Sequence, residues 1–170
     1  MSFAACLPII LQSEGGYVVD QGGPTNFGIT IPALQAYLHQ PVTAANIQAL
    51  TADGPIVGPL YQADYYNAAH CNELPDGLDL MVFDEAVNEG VGRAIRHLQE
   101  AVGVTADGAF GPATRAAVAL MDVSTAIRNI HEDNAEYYAS LDSMYPQDEK
   151  GWAARNDRTM ELALGMVKAS

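Results

Sequence analysis

Glu14-Gly15-Gly16-Tyr17-Val18-Val19-Asp20-Gln21-Gly22-Gly23-Pro24-Thr25-Asn26-Phe27-Gly28-Ile29-Thr30 is the stretch on which the reading of this chain turns. Ahead of it, Phe3, Leu7, Ile10, Leu11 and Glu14 recur at helical spacing and form one stripe of a helix. Gly15-Gly16 stops that helix, because glycine readily takes the left-handed backbone that closes one. The β-formers Tyr17, Val18, Val19, Phe27, Ile29 and Thr30 surround a Gly22-Gly23-Pro24 turn, which predicts a short, irregular hairpin. A helix running into a small hairpin is an α+β beginning.

Outward from that stretch the signals are helical. Pro32 suits a helix start, Thr43 can cap a short helix through Leu50, and Gly58-Pro59 opens another towards Ala69. The pattern breaks at Pro75-Asp76-Gly77, which predicts a division into residues 1–72 and 73–170. Beyond it, helices are expected over 78–88, which reads as amphipathic, then 91–102, 112–121, 124–144 and 150–168, with a glycine-rich connector over 103–112. Met81, Met121, Met144, Met160 and Met166 fall at helical spacings and read as core filler. The fold class expected is α+β, predominantly helical, in two lobes with a short N-terminal hairpin.

Composition narrows the function. The chain has 170 residues, 49% of them hydrophobic, enough for one good core or two small lobes and too apolar for disorder. Its longest apolar runs are too short to span a bilayer, so no stable membrane insertion is expected. The formal net charge of −13 repels polyanions and argues against a nucleic-acid partner. Cys6 and Cys71 are too few for a disulfide framework and read as reduced thiols of a chain made in the cytoplasm. Met1 to Cys6 lacks the basic residues of a Sec signal.

Glu14 shares its stripe with Leu7, Ile10 and Leu11 at the negative end of a helix. Partial desolvation and the helix dipole both favour a protonated carboxyl, which suits a general acid. A helix-end glutamate can equally bend out to water, and spacing leaves both readings open. Asp20 and Thr25 flank the glycine turn and could face the helix end as a second carboxylate and a hydroxyl, the division of labour used in glycoside cleavage. Asp before Gly-Gly is also ordinary turn chemistry. The histidines at 39, 70, 97 and 131 show no close ligand spacing, so neither a metal nor another cofactor is expected. No serine-hydrolase or phosphate-loop pattern is present.

Glu14-Gly15-Gly16-Tyr17-Val18 followed by Asp20-x-Gly22-Gly23-x-Thr25-Asn26-Phe27-Gly28-Ile29-Thr30 resembles the opening signature of the glycoside hydrolase family 108 N-acetylmuramidases, lysozyme-like enzymes that are often phage endolysins. Phe83-Asp84-x-Ala86-Val87-Asn88-x-Gly90 is similar to the family's next segment. Leu98-Gln99-x-x-Val102-Gly103-Val104-x-x-Asp107-Gly108-x-Phe110-Gly111-Pro112-x-Thr114 resembles its peptidoglycan-binding-type helical module, and Gly151-Trp152-x-x-Arg155 its closing motif. The resemblance implies a peptidoglycan hydrolase that cleaves the N-acetylmuramic acid–N-acetylglucosamine bond and lyses bacteria. Glu14 would be the acid, Asp20 the assisting carboxylate and Thr25 a water-orienting hydroxyl. Tyr17, Asn26, Asn88 and Trp152 would line a substrate groove between the lobes. The chain would act as a monomer in the periplasm or wall, reached through a holin. Two departures stand out: only Val18 and Val19 separate Tyr17 from Asp20, a shorter hairpin than the family pattern, and Pro24 removes a donor beside the turn. A lytic transglycosylase and a catalytically weakened wall-binding module are the alternative readings.

Overall fold

The computed structural model describes residues 2–20, 22–141 and 149–167. Helix α1 (Phe3–Ser13) leads into strands β1 (Val18–Asp20), β2 (Gly23–Asn26) and β3 (Ile29–Thr30), then helices α2 (Ile31–Leu38), α3 (Ala44–Gln48) and α4 (Val57–Tyr61). A π-helical turn over Gln62–Asn67 and a 3-10 turn over Cys71–Glu73 follow. Next come α5 (Leu78–Glu89), α6 (Val91–Ala101), α7 (Pro112–Leu120), α8 (Val123–Leu141) and α9 (Glu149–Val167). The fold is α+β and predominantly helical, with a small antiparallel sheet near the N-terminus, as the sequence predicts. No described helix is long and apolar enough to cross a membrane.

The described residues form two compact units. One is Leu7–Asp64; the other takes the residues up to Cys6 together with those from Tyr65 on. The sequence places its division at Pro75, and in the structure residues 65–72 group with the later helices.

The sheet of the first unit has the order β1-β2-β3, with Val18 opposite Thr25 and Asn26 opposite Ile29. Pro24 lies opposite Val19, beyond the two residues of β2 that β3 pairs, so one ladder side asks nothing of its missing donor. Phe27 and Gly28 close the β2–β3 hairpin with φ of 50° and 66°, the positive sign pattern of a type I′ turn. Thr30 Oγ1 then accepts the Ala33 N–H at 3.3 Å and caps α2, with Pro32 in its first turn. Ile10, Ile29, Leu34, Ile47, Val57 and Leu60 are buried and supply this unit's core.

The second unit is built around α5. Every residue from Leu78 to Ala86 is buried, Asp79, Asp84 and Glu85 included, so the amphipathic helix expected there is instead enclosed. The reason is packing: α6, α8 and α9 all contact α5, and Asp79 and Asp84 are absorbed into internal bonds. Asp84 pairs with Arg155 at 2.9 Å, and Asp79 accepts four hydrogen bonds. Leu80, Met81, Phe83, Leu98, Ile127 and Ile130 fill the surrounding core. Of the other methionines, Met121, Met160 and Met166 are only half-buried, and Met144 lies outside the described residues.

Gln99 explains the glycine-rich connector before α7. Its Nε2 donates to Asp107 Oδ1 (2.8 Å), the Ala109 carbonyl (3.0 Å) and Thr114 Oγ1 (3.1 Å), and its Oε1 accepts the Gly108 N–H (2.8 Å). One buried amide therefore fixes the whole loop. Cys6 and Cys71 are free and buried, and burial, followed by the Asp79 charge, pushes the Cys6 thiol up to about 12.

Candidate active site

Glu14 is the first residue past α1, and its side chain is half-buried. What holds it is the hairpin turn. The Phe27 N–H donates to the Gly15 carbonyl at 3.2 Å, tying the residue after Glu14 to the turn. The Phe27 carbonyl in turn accepts the Tyr61 hydroxyl at 2.7 Å, with Tyr61 2% exposed at the end of α4. Phe27 is therefore a non-glycine residue in the left-handed region, held there by a bond on each of its backbone polar groups. Such conformations cost on the order of 1–3 kcal/mol and persist only when the surroundings over-determine them, which is common at functional sites.

Gly28 completes the arrangement. A side chain there would place its Cβ 3.0 Å from Glu14 Oε2 and 3.7 Å from the Tyr61 hydroxyl oxygen, at a φ of 66° that disfavours any L side chain. The Glu14 carboxylate thus rests against bare backbone. Gly28→Ala should lower activity by more than it lowers stability, because the new methyl displaces the Glu14 carboxyl while the φ strain costs only about 1 kcal/mol. Turnover and thermal midpoint of the two proteins, measured side by side, check this; equal turnover would show that the contact does not position Glu14.

Asp20, Thr25 and Tyr17 belong to this unit. Asp20 is exposed at the end of β1, and its Oδ1 accepts the Gly22 N–H at 2.7 Å, so it builds the first hairpin turn. Thr25 is half-buried on β2, opposite Val18 on one side and Thr30 on the other. Tyr17, directly before the sheet, is 39% exposed. A pocket of about 490 Å³, lined by Leu7, Leu11, Gln12, Phe27 and Asp53 among others, shares Phe27 with the Glu14 setting.

Asn26 corrects the expectation of a groove-lining amide. It is buried, and its Nδ2 donates to the carbonyls of Ile47 (3.1 Å) and Leu50 (3.2 Å). Both carbonyls lie around the C-terminus of α3, where Ile47 also accepts the Leu50 N–H at 3.2 Å, so Asn26 braces α3 against the sheet. Asn88 and Trp152 fall in the other compact unit. Asn88 donates to the Asp84 carbonyl at 2.7 Å, a helix-end contact, and Trp152 is half-buried and stacked on Tyr138 with centroids 5.6 Å apart. The residues that sequence reasoning missed are Phe27, Gly28 and Tyr61. A glycine at the second place of a two-residue turn was readable in Asn26-Phe27-Gly28-Ile29; nothing in the sequence pairs Tyr61 with that turn.

A small antiparallel sheet in an otherwise helical chain is an α+β, lysozyme-like fold. Residues 7–90 match the family model for glycosyl hydrolase 108. The chain is also similar to a solved structure described as "Structure of Brucella abortus SagA", with 34% identity over 96% of this chain and 94% of that one, and a TM-score of 0.84. No curated protein sequence matches it significantly. The chain belongs to the glycosyl hydrolase 108 family of peptidoglycan-degrading enzymes and is a glycoside hydrolase.

Proposed function

We propose that this protein is an N-acetylmuramidase that cleaves the β-1,4 bond between N-acetylmuramic acid and N-acetylglucosamine, with Glu14 as the general acid. The observation that carries this is the Glu14 carboxylate held against Gly28 by a strained turn that Tyr61 and Gly15 lock in place. A fixed, partly desolvated carboxyl can deliver its proton to the glycosidic oxygen, which leaves with the N-acetylglucosamine as positive charge develops on the muramic acid ring. Asp20 is the proposed second carboxylate, stabilising that charge or, with Thr25, orienting the attacking water. Tyr17 offers an exposed aromatic face on which a sugar can stack. Asn26 acts here as a positioning residue, through α3 and the sheet, without touching substrate.

The helices beyond residue 90 are proposed to serve as a wall-binding module, working on peptidoglycan in the periplasm with lysis as the outcome. Access through a holin-type pore and a monomeric state belong to the same reading.

One observation favours a second reading. Asp20 is exposed and its Oδ1 is engaged by Gly22, and a lytic transglycosylase needs no supporting carboxylate, since the muramic acid's own hydroxyl attacks. Mass spectrometry of fragments released from purified sacculi separates the two. A muramidase yields reducing muramic acid ends, whereas a transglycosylase yields anhydro ends lighter by one water. No released fragments at all would leave only the wall-binding module.

A further inference from the structure

Three titratable side chains in the helical unit, far in sequence from Glu14, meet inside it. Glu85 and Glu89 lie one turn apart on α5, and His97 faces them from α6. One ligand-type atom from each lies within 4.8 Å of the other two. Glu85 is 1% exposed and the Glu89 side chain 4%. His97 Nδ1 stands 2.7 Å from Glu85 Oε1 and 3.1 Å from Asn134 Oδ1 on α8, so a single ring nitrogen faces two acceptors.

The polar groups are not satisfied by one another. Glu85 Oε2 is buried with no hydrogen-bond partner, and the buried Glu89 carboxylate has only the Tyr138 hydroxyl beside it. Arg93 Nε approaches Glu89 Oε2 only to 3.7 Å, outside hydrogen-bonding range, while its guanidinium covers the Tyr137 ring. The Tyr138 hydroxyl hydrogen-bonds towards Glu89 and Asp84 is bound by Arg155, which leaves Glu85 Oε2 as the buried oxygen with no partner. Buried carboxylate oxygens without partners are costly, and proteins resolve them with a proton or a cation. The donor set here is one imidazole nitrogen, two carboxylates and an amide oxygen, which suits Zn²⁺ or Mn²⁺ better than a soft, thiolate-preferring ion. Metal bonds of about 2.0–2.2 Å in a tetrahedron put ligand atoms about 3.3–3.6 Å apart, so the side chains need only small adjustments to close on an ion.

We propose that Glu85, Glu89 and His97, completed by the Asn134 amide oxygen, form a divalent transition-metal site that fastens α5, α6 and α8 together. The ion replaces the hydrogen now shared between His97 Nδ1 and its two acceptors, and its two positive charges balance the two carboxylates with a neutral imidazole. The site is structural and independent of Glu14.

The test uses the full-length protein, stripped with a chelator and dialysed, then titrated with ZnCl₂ or MnCl₂ by calorimetry. One equivalent should bind, and a metal concentration of about 100 Kd should raise the thermal midpoint by roughly 5–10 °C. Co²⁺ should give visible absorption bands of a four-coordinate nitrogen–oxygen site. Glu89→Gln and His97→Gln should each weaken binding by at least about 10-fold and remove the Co²⁺ bands, since each deletes a direct ligand. His131→Gln should leave both intact, because His131 pairs with the exposed Asp157 elsewhere. Circular dichroism in chelator establishes that each variant is folded. No binding by the wild type overturns the proposal. So does binding that survives both Glu89→Gln and His97→Gln, or a Glu89→Gln protein that is more stable in chelator while the wild type ignores metal, the signature of a shared proton.

Discussion

Glu14→Gln is expected to reduce the release of reducing ends from purified peptidoglycan by about 10²–10⁴-fold, the usual contribution of a positioned general acid. Gln is the informative substitution because it nearly preserves shape. The side chain of Glu14 rests where a Cβ on Gly28 would sit 3.0 Å from Oε2, and a carboxamide fills that same space. The bond from Phe27 to Gly15 and the bond from Tyr61 to Phe27 involve backbone and hydroxyl groups that the substitution does not touch. Stability should therefore change little, with the thermal midpoint moving by no more than about 2 °C. Loss of turnover with an intact fold isolates the proton as the missing component. Release of fragments at more than a tenth of the wild-type rate would remove Glu14 from the mechanism, and a large fall in thermal midpoint would mean that the carboxylate holds the turn rather than the substrate.

Much of this arrangement was legible in the sequence, and the reasons differ by residue. Glu14 could be placed because the spacing of Phe3, Leu7, Ile10 and Leu11 carries a helical stripe up to it, and a stripe is a local property. The hairpin was legible because left-handed turn positions demand glycine or its substitutes, and Gly23 and Gly28 mark them. Tyr61 was not legible. Its hydroxyl meets the Phe27 carbonyl across 34 residues, and no periodicity encodes a tertiary pairing of that kind. Asn26 was misread for the opposite reason: an amide beside a candidate site suggests a ligand contact, and here it is consumed by two backbone carbonyls.

The same limit governs α5. Asp79, Asp84, Glu85 and Glu89 make it read as half-solvated, yet the helix is buried through Ala86, with Arg155 of α9 bound to Asp84 and His97 of α6 bound to Glu85. Charge in a sequence signals water only when nothing else can solvate it. His97 shows how this hides a cluster. It stands eight residues after Glu89, across the Gly90 break, so no ligand spacing within one helix reveals it.

Asp79→Ala is expected to produce the largest loss of stability of any single polar substitution in the helical unit. Asp79 is fully buried in the first turn of α5, where the positive end of the helix dipole favours an anion. Its Oδ1 accepts the N–H groups of Gly77 and Leu80, both at 2.9 Å, and its Oδ2 accepts the Tyr66 hydroxyl at 3.0 Å and the Cys6 thiol at 3.5 Å. Those bonds fasten α1's first turn, the π-helical turn and the start of α5 to one carboxylate. Alanine leaves four buried donors without an acceptor and a cavity in place of the carboxyl. Stranded donors cost about 1–3 kcal/mol each when nothing relaxes, and relaxation brings the whole to about 3–5 kcal/mol. For a chain of this length that lowers the thermal midpoint by roughly 6–20 °C. Asp79→Asn keeps an oxygen for Gly77 and Leu80 and turns an N–H₂ towards Tyr66, whose hydroxyl can rotate to accept it, so about 1–2 kcal/mol is expected there. Thermal and denaturant unfolding of both variants measure the difference. An alanine variant within 1 kcal/mol of wild type would show that the four donors find water or other acceptors, and that the start of α5 is held by its apolar packing alone.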